Sequence, residues 1–88
     1  MEEFLNSIGI NKRGTYSDDK SYVIDLSDDR EYAKYYSILD RSDELDLLED
    51  SSTVTFDNAN VMFQSDEYMI NIIADWNADT YKIVIKGE

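Results

Sequence analysis

Six carboxylates and a single arginine between residues 40 and 50 are the side chains of this sequence best suited to do chemistry. The six acidic residues are Asp40, Asp43, Glu44, Asp46, Glu49 and Asp50. On a helix or in a tight turn, Asp43, Asp46 and Asp50 would stand at three- and four-residue spacings, about 5 to 6 Å apart. Like charges so spaced destabilise a helix by about 0.2 to 0.5 kcal/mol per pair. The segment therefore suggests acid–base chemistry, cation binding or contact with a basic partner.

Acid–base catalysis by two of these carboxylates, as in glycosidases, requires a substrate cleft and one carboxyl group in an apolar pocket. A chain of 88 residues with a helix on a sheet rarely encloses such a cleft. The chain also contains no histidine and no cysteine, which removes the commonest nucleophiles, general bases and zinc ligands. We therefore expect that the protein is not an enzyme.

Calcium binding is the next chemistry that a run of carboxylates suggests. An EF-hand loop requires a glycine at its sixth position, and residues 40–50 contain none. The glycines of the chain, Gly9, Gly14 and Gly87, do not form a Gly-rich phosphate-binding loop. The sequence predicts neither a metal site nor a cofactor.

The charge of the whole chain favours a basic protein as partner. Twenty acidic residues against eight basic ones give a formal net charge of −12, beyond the magnitude of about 2 to 8 that suits a small soluble domain. Attraction to nucleic acid or to an anionic membrane needs Lys and Arg clusters, so we expect no direct contact with either. Twelve charges match about 20 Å of duplex DNA, and a folded domain of this size is about 24 to 30 Å across, so its charge per unit length is of the same order as that of DNA. The natural complement is a protein surface that normally holds nucleic acid.

Length and composition predict one folded domain, residues 1–88, in a cytoplasmic protein. The apolar fraction of 42% is typical of globular domains. The N-terminus is acidic where a secretory signal would be basic, and no segment approaches the roughly 20 apolar residues of a membrane span.

The strongest local pattern predicts a main helix at about residues 28–39. Asp28 and Glu31 have the spacing of a capping box, which satisfies amide groups at a helix start. Its buried stripe is expected to comprise Tyr32, Tyr35, Tyr36 and Leu39. A short N-terminal helix over residues 2–8 and a short acidic helix or turn over about 43–49, with Ser42 as its N-cap, are also predicted.

Alternation of apolar and polar residues predicts an antiparallel sheet of four to five strands, with the main helix packed on one face. The predicted strands are residues 21–26, 53–57, 60–64, 68–74 and 81–86. Val54 and Phe56 are expected to face the core, and Asn58–Ala59 is expected to form the next turn. Lys82 and Lys86 suggest that the last strand lies at a protected edge of the sheet. The predicted fold class is α+β.

In size, acidity, lack of cysteine and helix-plus-sheet pattern, the chain resembles the small acidic inhibitors of phages and mobile elements, including DNA-mimic anti-CRISPR proteins. The resemblance spans the whole chain. It implies an inhibitor that occupies the basic nucleic-acid-binding surface of a target, such as a Cas nuclease or another DNA-binding enzyme, inside a bacterial host. The alternatives are an immunity or antitoxin-type protein that neutralises one basic toxin, and a protein-interaction module that does not mimic DNA.

The residues expected to contact the partner are the six carboxylates of residues 40–50, together with Asp28 and Asp29 at the start of the main helix. Each would stand in for a phosphate and accept charge-assisted hydrogen bonds from Arg or Lys. Trp76, in a predicted loop, is expected to be an aromatic anchor for the partner or a lid over the end of the sheet. We expect the carboxylates to form one continuous negative face.

Overall fold

A computed structural model describes residues 2–87 and has the predicted α+β class. A seven-stranded antiparallel sheet carries one main helix and one short N-terminal helix. The helices are α1 (Glu2–Ser7) and α2 (Asp29–Arg41), and a single 3-10 turn spans Glu49–Ser51. The strands are β1 (Thr15–Tyr16), β2 (Ser21–Leu26), β3 (Asp46–Leu47), β4 (Thr53–Val54), β5 (Asn58–Gln64), β6 (Tyr68–Asp75) and β7 (Thr80–Gly87). Within residues 2–87, neither helix has the length and apolar character needed to cross a bilayer.

The sheet has the strand order β1-β2-β7-β6-β5-β3, and β4 also pairs with β5. The strand β7 is central, so the prediction that it lies at an edge is wrong. It pairs with β6 along its whole length and with β2 from Ser21↔Lys86 to Leu26↔Tyr81. Its exposed lysines, Lys82 and Lys86, alternate with buried Ile83 and Ile85 and therefore lie on the face opposite the core.

Helix α2 forms where the sequence predicts it and covers the core face of the sheet. The Asp28 side chain caps it by accepting from the Glu31 backbone amide at 2.9 Å. Tyr32, Tyr35 and Leu39 are buried, while Tyr36 is half-buried. Full burial of a side chain such as that of Leu39 stabilises the fold by about 2 kcal/mol. The helix is therefore fixed mainly by its packing on β6 and β7.

The acidic segment after α2 is a turn at residues 43–44 followed by extended chain. Of the two predicted alternatives, a short helix or a turn, the turn forms and the helix does not. Ser42 ends α2 as its C-cap instead of starting another helix. Asp46 then pairs with Gln64 and Leu47 with Phe63, which makes β3 an edge strand beside β5. Backbone pairing with β5 satisfies the amide groups of the segment and keeps its side chains farther apart than a helix would.

The hairpin between β4 and β5 turns earlier than predicted. The Thr55 hydroxyl accepts from the Asn58 amide at 3.1 Å, and the Thr55 amide donates to the Asn58 carbonyl at 2.7 Å. Strand β5 consequently begins at Asn58, and Ala59, predicted to lie in the turn, is buried in the core. Phe56, predicted to face the core, lies at the tip of the hairpin and is 98% exposed.

Candidate functional site

A strongly acidic depression lies between the turn after α2, β3 and the turn that joins β5 to β6. It has a volume of about 460 Å³. We call it the acidic cleft; its lining includes five carboxylates and two aromatic rings, those of Asp43, Glu44, Asp46, Asp66, Glu67, Phe4 and Tyr68. Three of the carboxylates are predicted contact residues, and Asp66 and Glu67 are additional.

Two chain segments that are distant in sequence meet at the acidic cleft because β3 pairs with the end of β5. Asp46 is the pairing partner of Gln64, so it lies next to the turn that begins at Ser65. The Ser65 hydroxyl accepts from the backbone amide of Tyr68 at 3.0 Å and of Glu67 at 3.4 Å, which fixes that turn. The carboxylates of both segments are thereby held by backbone structure.

Helix α1 supplies the apolar part of the acidic cleft. The Phe4 and Tyr68 rings pack with centroids 4.4 Å apart and an interplanar angle of 31°. Leu5 on the same short helix and Ile8 directly after it are buried in the core. The Ser7 hydroxyl donates to the Phe4 carbonyl at 2.6 Å and lies 3.4 Å from Glu44 Oε2, so the end of the helix contacts the cleft rim. The cleft thus combines negative charge with two half-buried aromatic rings.

The negative charge of the acidic cleft is not neutralised within the described part of the chain. No lysine or arginine of residues 2–87 is among the residues that line it. Over the same residues, the one ion pair joins Lys12 to Glu31, on the N-terminal half of α2. No group of three potential ligand side chains in that range is arranged to hold a metal ion. Such a cleft can accept several guanidinium or ammonium groups from a partner.

The remaining predicted contact residues do not join the acidic cleft. Asp40 is exposed on the last turn of α2, and Glu49 and Asp50 are exposed in the 3-10 turn beside β5. Asp28 and Asp29 lie at the opposite end of α2; the helical rise puts Asp29 about 17 Å from Asp40. Exposed cations on α2, namely Arg30, Lys34 and Arg41, interrupt the acids. The predicted residues therefore do not form one continuous face. Asp28 and Asp29 form a second acidic surface at the start of α2, and Asp40, Glu49 and Asp50 belong to neither this surface nor the cleft.

The second acidic surface adjoins an apolar groove between α2 and the β4–β5 hairpin. We call this depression of about 420 Å³ the aromatic groove. Its lining includes Tyr32, Tyr36, Val54, Val61 and Trp76, with Asp29 as its carboxylate. Val54 is 69% exposed, so the prediction that it faces the core is wrong, because β4 is a two-residue edge strand that, among residues 2–87, pairs only with β5. The groove is open to solvent and predominantly apolar.

Trp76 links the loop after β6 to the start of α2. Its indole Nε1 donates to Asp29 Oδ1 at 2.9 Å, and its ring meets that of Tyr32 edge-on at 6.1 Å. It remains 37% exposed, so part of its side chain is open to solvent. Burial raises the pKa of Tyr32 to about 12, and the adjacent Tyr36 and Asp29 contribute to the increase.

Asp66 and Glu67 could not be identified as site residues from local patterns. The sequence Ser65-Asp66-Glu67 indicates an acidic turn, but its proximity to Asp46 depends on the pairing of β3 with β5. A two-residue strand is too short to produce a recognisable alternation.

Comparisons with models of protein families, with curated proteins and with solved structures gave no match for this chain.

Proposed function

We propose that the protein is an inhibitor that binds the basic surface of a nucleic-acid-binding protein and excludes the nucleic acid. The observation that carries this proposal is the convergence of five carboxylates on the acidic cleft, with no cation from the described residues in its lining. Mutual repulsion of these groups is unfavourable in the free protein and is relieved when Arg or Lys side chains enter.

The overall charge density supports competition with nucleic acid. The longest dimension of the molecule is 32 Å, and duplex DNA of that length carries about 19 phosphate charges. The net charge of −12 is therefore about two thirds of the charge of the DNA it would replace. A field of this strength accelerates association with a basic surface and makes the rate sensitive to salt.

The aromatic rings of the acidic cleft favour arginine over lysine as the group that enters it. A planar guanidinium can stack on an aromatic ring while it donates paired hydrogen bonds to a carboxylate. The Phe4 and Tyr68 rings lie in the same lining as Asp43, Glu44 and Asp66. Arginine-rich grooves that read DNA backbone and guanine bases carry the matching groups.

A pair of charge-matched variants tests the proposed function. The cleft variant carries Asp43→Asn, Asp46→Asn and Asp66→Asn, and the control variant carries Asp19→Asn, Asp25→Asn and Asp57→Asn. All six residues are exposed, and each variant loses three charges. Each protein is immobilised and used to capture proteins from a bacterial lysate, and a short DNA duplex is then added in excess.

The proposal predicts that the wild-type and control proteins capture nucleic-acid-binding proteins that the DNA duplex displaces, whereas the cleft variant captures at least tenfold less. Equal loss of capture by both variants would mean that only the net charge matters and would contradict a role for the acidic cleft. A captured partner that excess DNA does not displace would contradict the inhibition mechanism.

The exposed apolar side chains favour a second candidate, a protein that neutralises one cognate basic toxin. Phe56 at 98% exposure and the apolar aromatic groove are not needed by a mimic of phosphate charge. They suit a specific interface with an apolar anchor. Binding of one partner that survives both excess DNA and high salt would favour this candidate.

A further inference from the structure

The aromatic groove lies at the end of α2 remote from the acidic cleft. Asp29, the first residue of α2, lines the groove. Trp76, the only tryptophan of the chain, forms one side of the groove. The hairpin that carries Val54 forms the other side, and Phe56 extends from its tip. Phe56 is not in the groove lining itself, but it is 98% exposed two residues after Val54, which does line the groove. Exposed apolar surface of this kind is typical of an interaction site.

We propose that the aromatic groove receives an arginine side chain and an adjacent apolar side chain from the basic partner. The inference rests on the proposed function, since that partner supplies the arginine. The guanidinium would lie against the Asp29 carboxylate and the exposed part of the Trp76 ring. The apolar neighbour would contact Val54 and Phe56.

The charge around the aromatic groove selects a cationic occupant. The Trp76 indole satisfies one lone pair of Asp29 Oδ1, and a carboxylate has about four acceptor sites. Asp28 lies exposed beside it at the helix start, and no lysine or arginine of residues 2–87 is in the groove lining. A guanidinium can therefore form a charge-assisted hydrogen bond with Asp29 without displacing the indole.

The apolar side chains that line the aromatic groove favour an arginine with an apolar neighbour over an inorganic cation or an isolated ammonium group. The aliphatic stem of arginine can lie on apolar surface while its charged end contacts a carboxylate. The aromatic ring of Trp76 provides a cation–π contact, for which arginine is used more often than lysine. The volume of about 420 Å³ exceeds that of one side chain, which leaves room for the apolar neighbour.

Fluorescence of Trp76 reports on the groove alone, because the chain has no other tryptophan. The probes are two end-labelled peptides without tryptophan, one that alternates arginine with leucine and one that alternates arginine with glycine. Anisotropy of the label measures total binding, to which the acidic cleft contributes. The tryptophan emission measures occupation of the groove.

Two substitutions in the groove test the contacts, with one control. Asp29→Asn removes the charge but retains an oxygen that can accept from Trp76, Phe56→Ser removes the exposed ring, and Asp25→Asn is the charge-matched control. The arginine–leucine peptide should change the Trp76 emission saturably, and the arginine–glycine peptide should change it much less. Asp29→Asn and Phe56→Ser should each weaken the fluorescence-detected binding about tenfold, and the control should not.

The outcomes separate the groove from the proposed function. If the arginine–leucine peptide saturates the anisotropy signal while the Trp76 emission is unchanged, the groove inference is wrong and the acidic cleft stands. If the Asn substitutions at Asp43, Asp46 and Asp66 leave the anisotropy unchanged but the emission responds, the groove inference is supported and the role of the acidic cleft is wrong. Unchanged denaturant midpoints in Asp29→Asn and Phe56→Ser would show that a loss of binding does not reflect unfolding.

Discussion

The Lys12 ammonium forms an ion pair with Glu31 Oε1, and this contact attaches the segment after α1 to the start of α2. The same carboxylate oxygen accepts from the Ser27 backbone amide at 3.0 Å. The Asp28 side chain accepts from the Glu31 backbone amide, and the Glu31 side chain accepts from a backbone amide before the helix, so the two residues together cap the start of α2. The hydrogen bond from Lys12, followed by that from the Ser27 amide, lowers the pKa of Glu31 below its usual value of 4.5.

The lowered pKa predicts a specific pH dependence for the variant Glu31→Gln. The folded state holds the ionised form of Glu31, so its stabilising effect is complete above the unfolded pKa of about 4.5 and is lost as the pH falls through the folded pKa. Glu31→Gln should lower the free energy of unfolding by about 0.5 to 1 kcal/mol at pH 7, and the difference should shrink as the pH falls below 4.5. Urea unfolding at a series of pH values measures it.

The control for Glu31→Gln is the same substitution in a Lys12→Gln background. Without the ammonium, Glu31→Gln should cost less at pH 7, because glutamine can still accept from the Ser27 amide. A difference that persists unchanged at pH 3, in either background, would show that charge is not the origin of the effect.

Gly14 is predicted to be the least replaceable glycine of the chain. A Cβ atom there would collide with the Val23 backbone carbonyl and lie 2.8 Å from Ile24 Cγ1. Gly14→Ala should therefore destabilise the protein by about 1 to 3 kcal/mol. Gly87→Ala is the matched control, since its nearest neighbour would be the Lys20 carbonyl at 3.9 Å. Thermal unfolding tests this prediction: the midpoint of Gly14→Ala should lie below that of the wild type, and the midpoint of Gly87→Ala should lie close to it.

The elements that could be predicted from the sequence are those with a long alternation of apolar and polar residues or a local capping signal. Strand β2 has the predicted bounds, with Tyr22, Ile24 and Leu26 buried, because alternation over six residues has few alternatives. Helix α2 starts within one residue of the predicted position, because the Asp28 cap is a local signal. The helix continues to Arg41, beyond the expected end.

The contacts that create the two candidate sites are non-local and could not be predicted in the same way. The acidic cleft exists because Asp46 pairs with Gln64, and the aromatic groove exists because Trp76 reaches Asp29 across 47 residues of sequence. The central position of β7 depends likewise on its pairing with β2. The exposure of Phe56 follows from a turn set by the Thr55 hydroxyl, a signal that competes with simple alternation.

The burial of Tyr32 leads us to expect that the protein loses stability at alkaline pH. Its pKa is raised mainly by burial, to about 12, so the folded state retains a proton that the unfolded state releases near pH 10. The stabilising effect is complete below pH 10 and is lost as the pH rises to 12. Between neutral pH and pH 11.5, the free energy of unfolding should therefore fall by about 2 kcal/mol more in the wild type than in Tyr32→Phe.

Denaturant unfolding at pH 8 and pH 11.5 tests the prediction for Tyr32. Tyr16→Phe serves as the control, because Tyr16 is 60% exposed at an edge strand. If both variants lose stability in parallel with the wild type, burial of Tyr32 does not produce the alkaline transition.

The acidic cleft is predicted to lower the stability of the free protein. The Asn substitutions at Asp43, Asp46 and Asp66 remove three like charges from one depression, and relief of repulsion should raise the free energy of unfolding by about 0.5 to 1.5 kcal/mol at low salt. Salt screens exposed charges, with a Debye length of about 30 Å at 0.01 M and 3 Å at 1 M. The gain should therefore shrink toward zero in 1 M NaCl.

The matched variant, with Asn at Asp19, Asp25 and Asp57, separates local repulsion from net charge. Those residues are dispersed over the loop before β2, the strand β2 itself and the β4–β5 turn, so removing them should stabilise the protein less than removing the cleft charges. A cleft variant that is more stable but binds its partner less would show that these carboxylates are retained for binding at a cost in stability. If the cleft variant were no more stable than the matched variant, the carboxylates would not repel one another more strongly in the cleft than elsewhere on the surface.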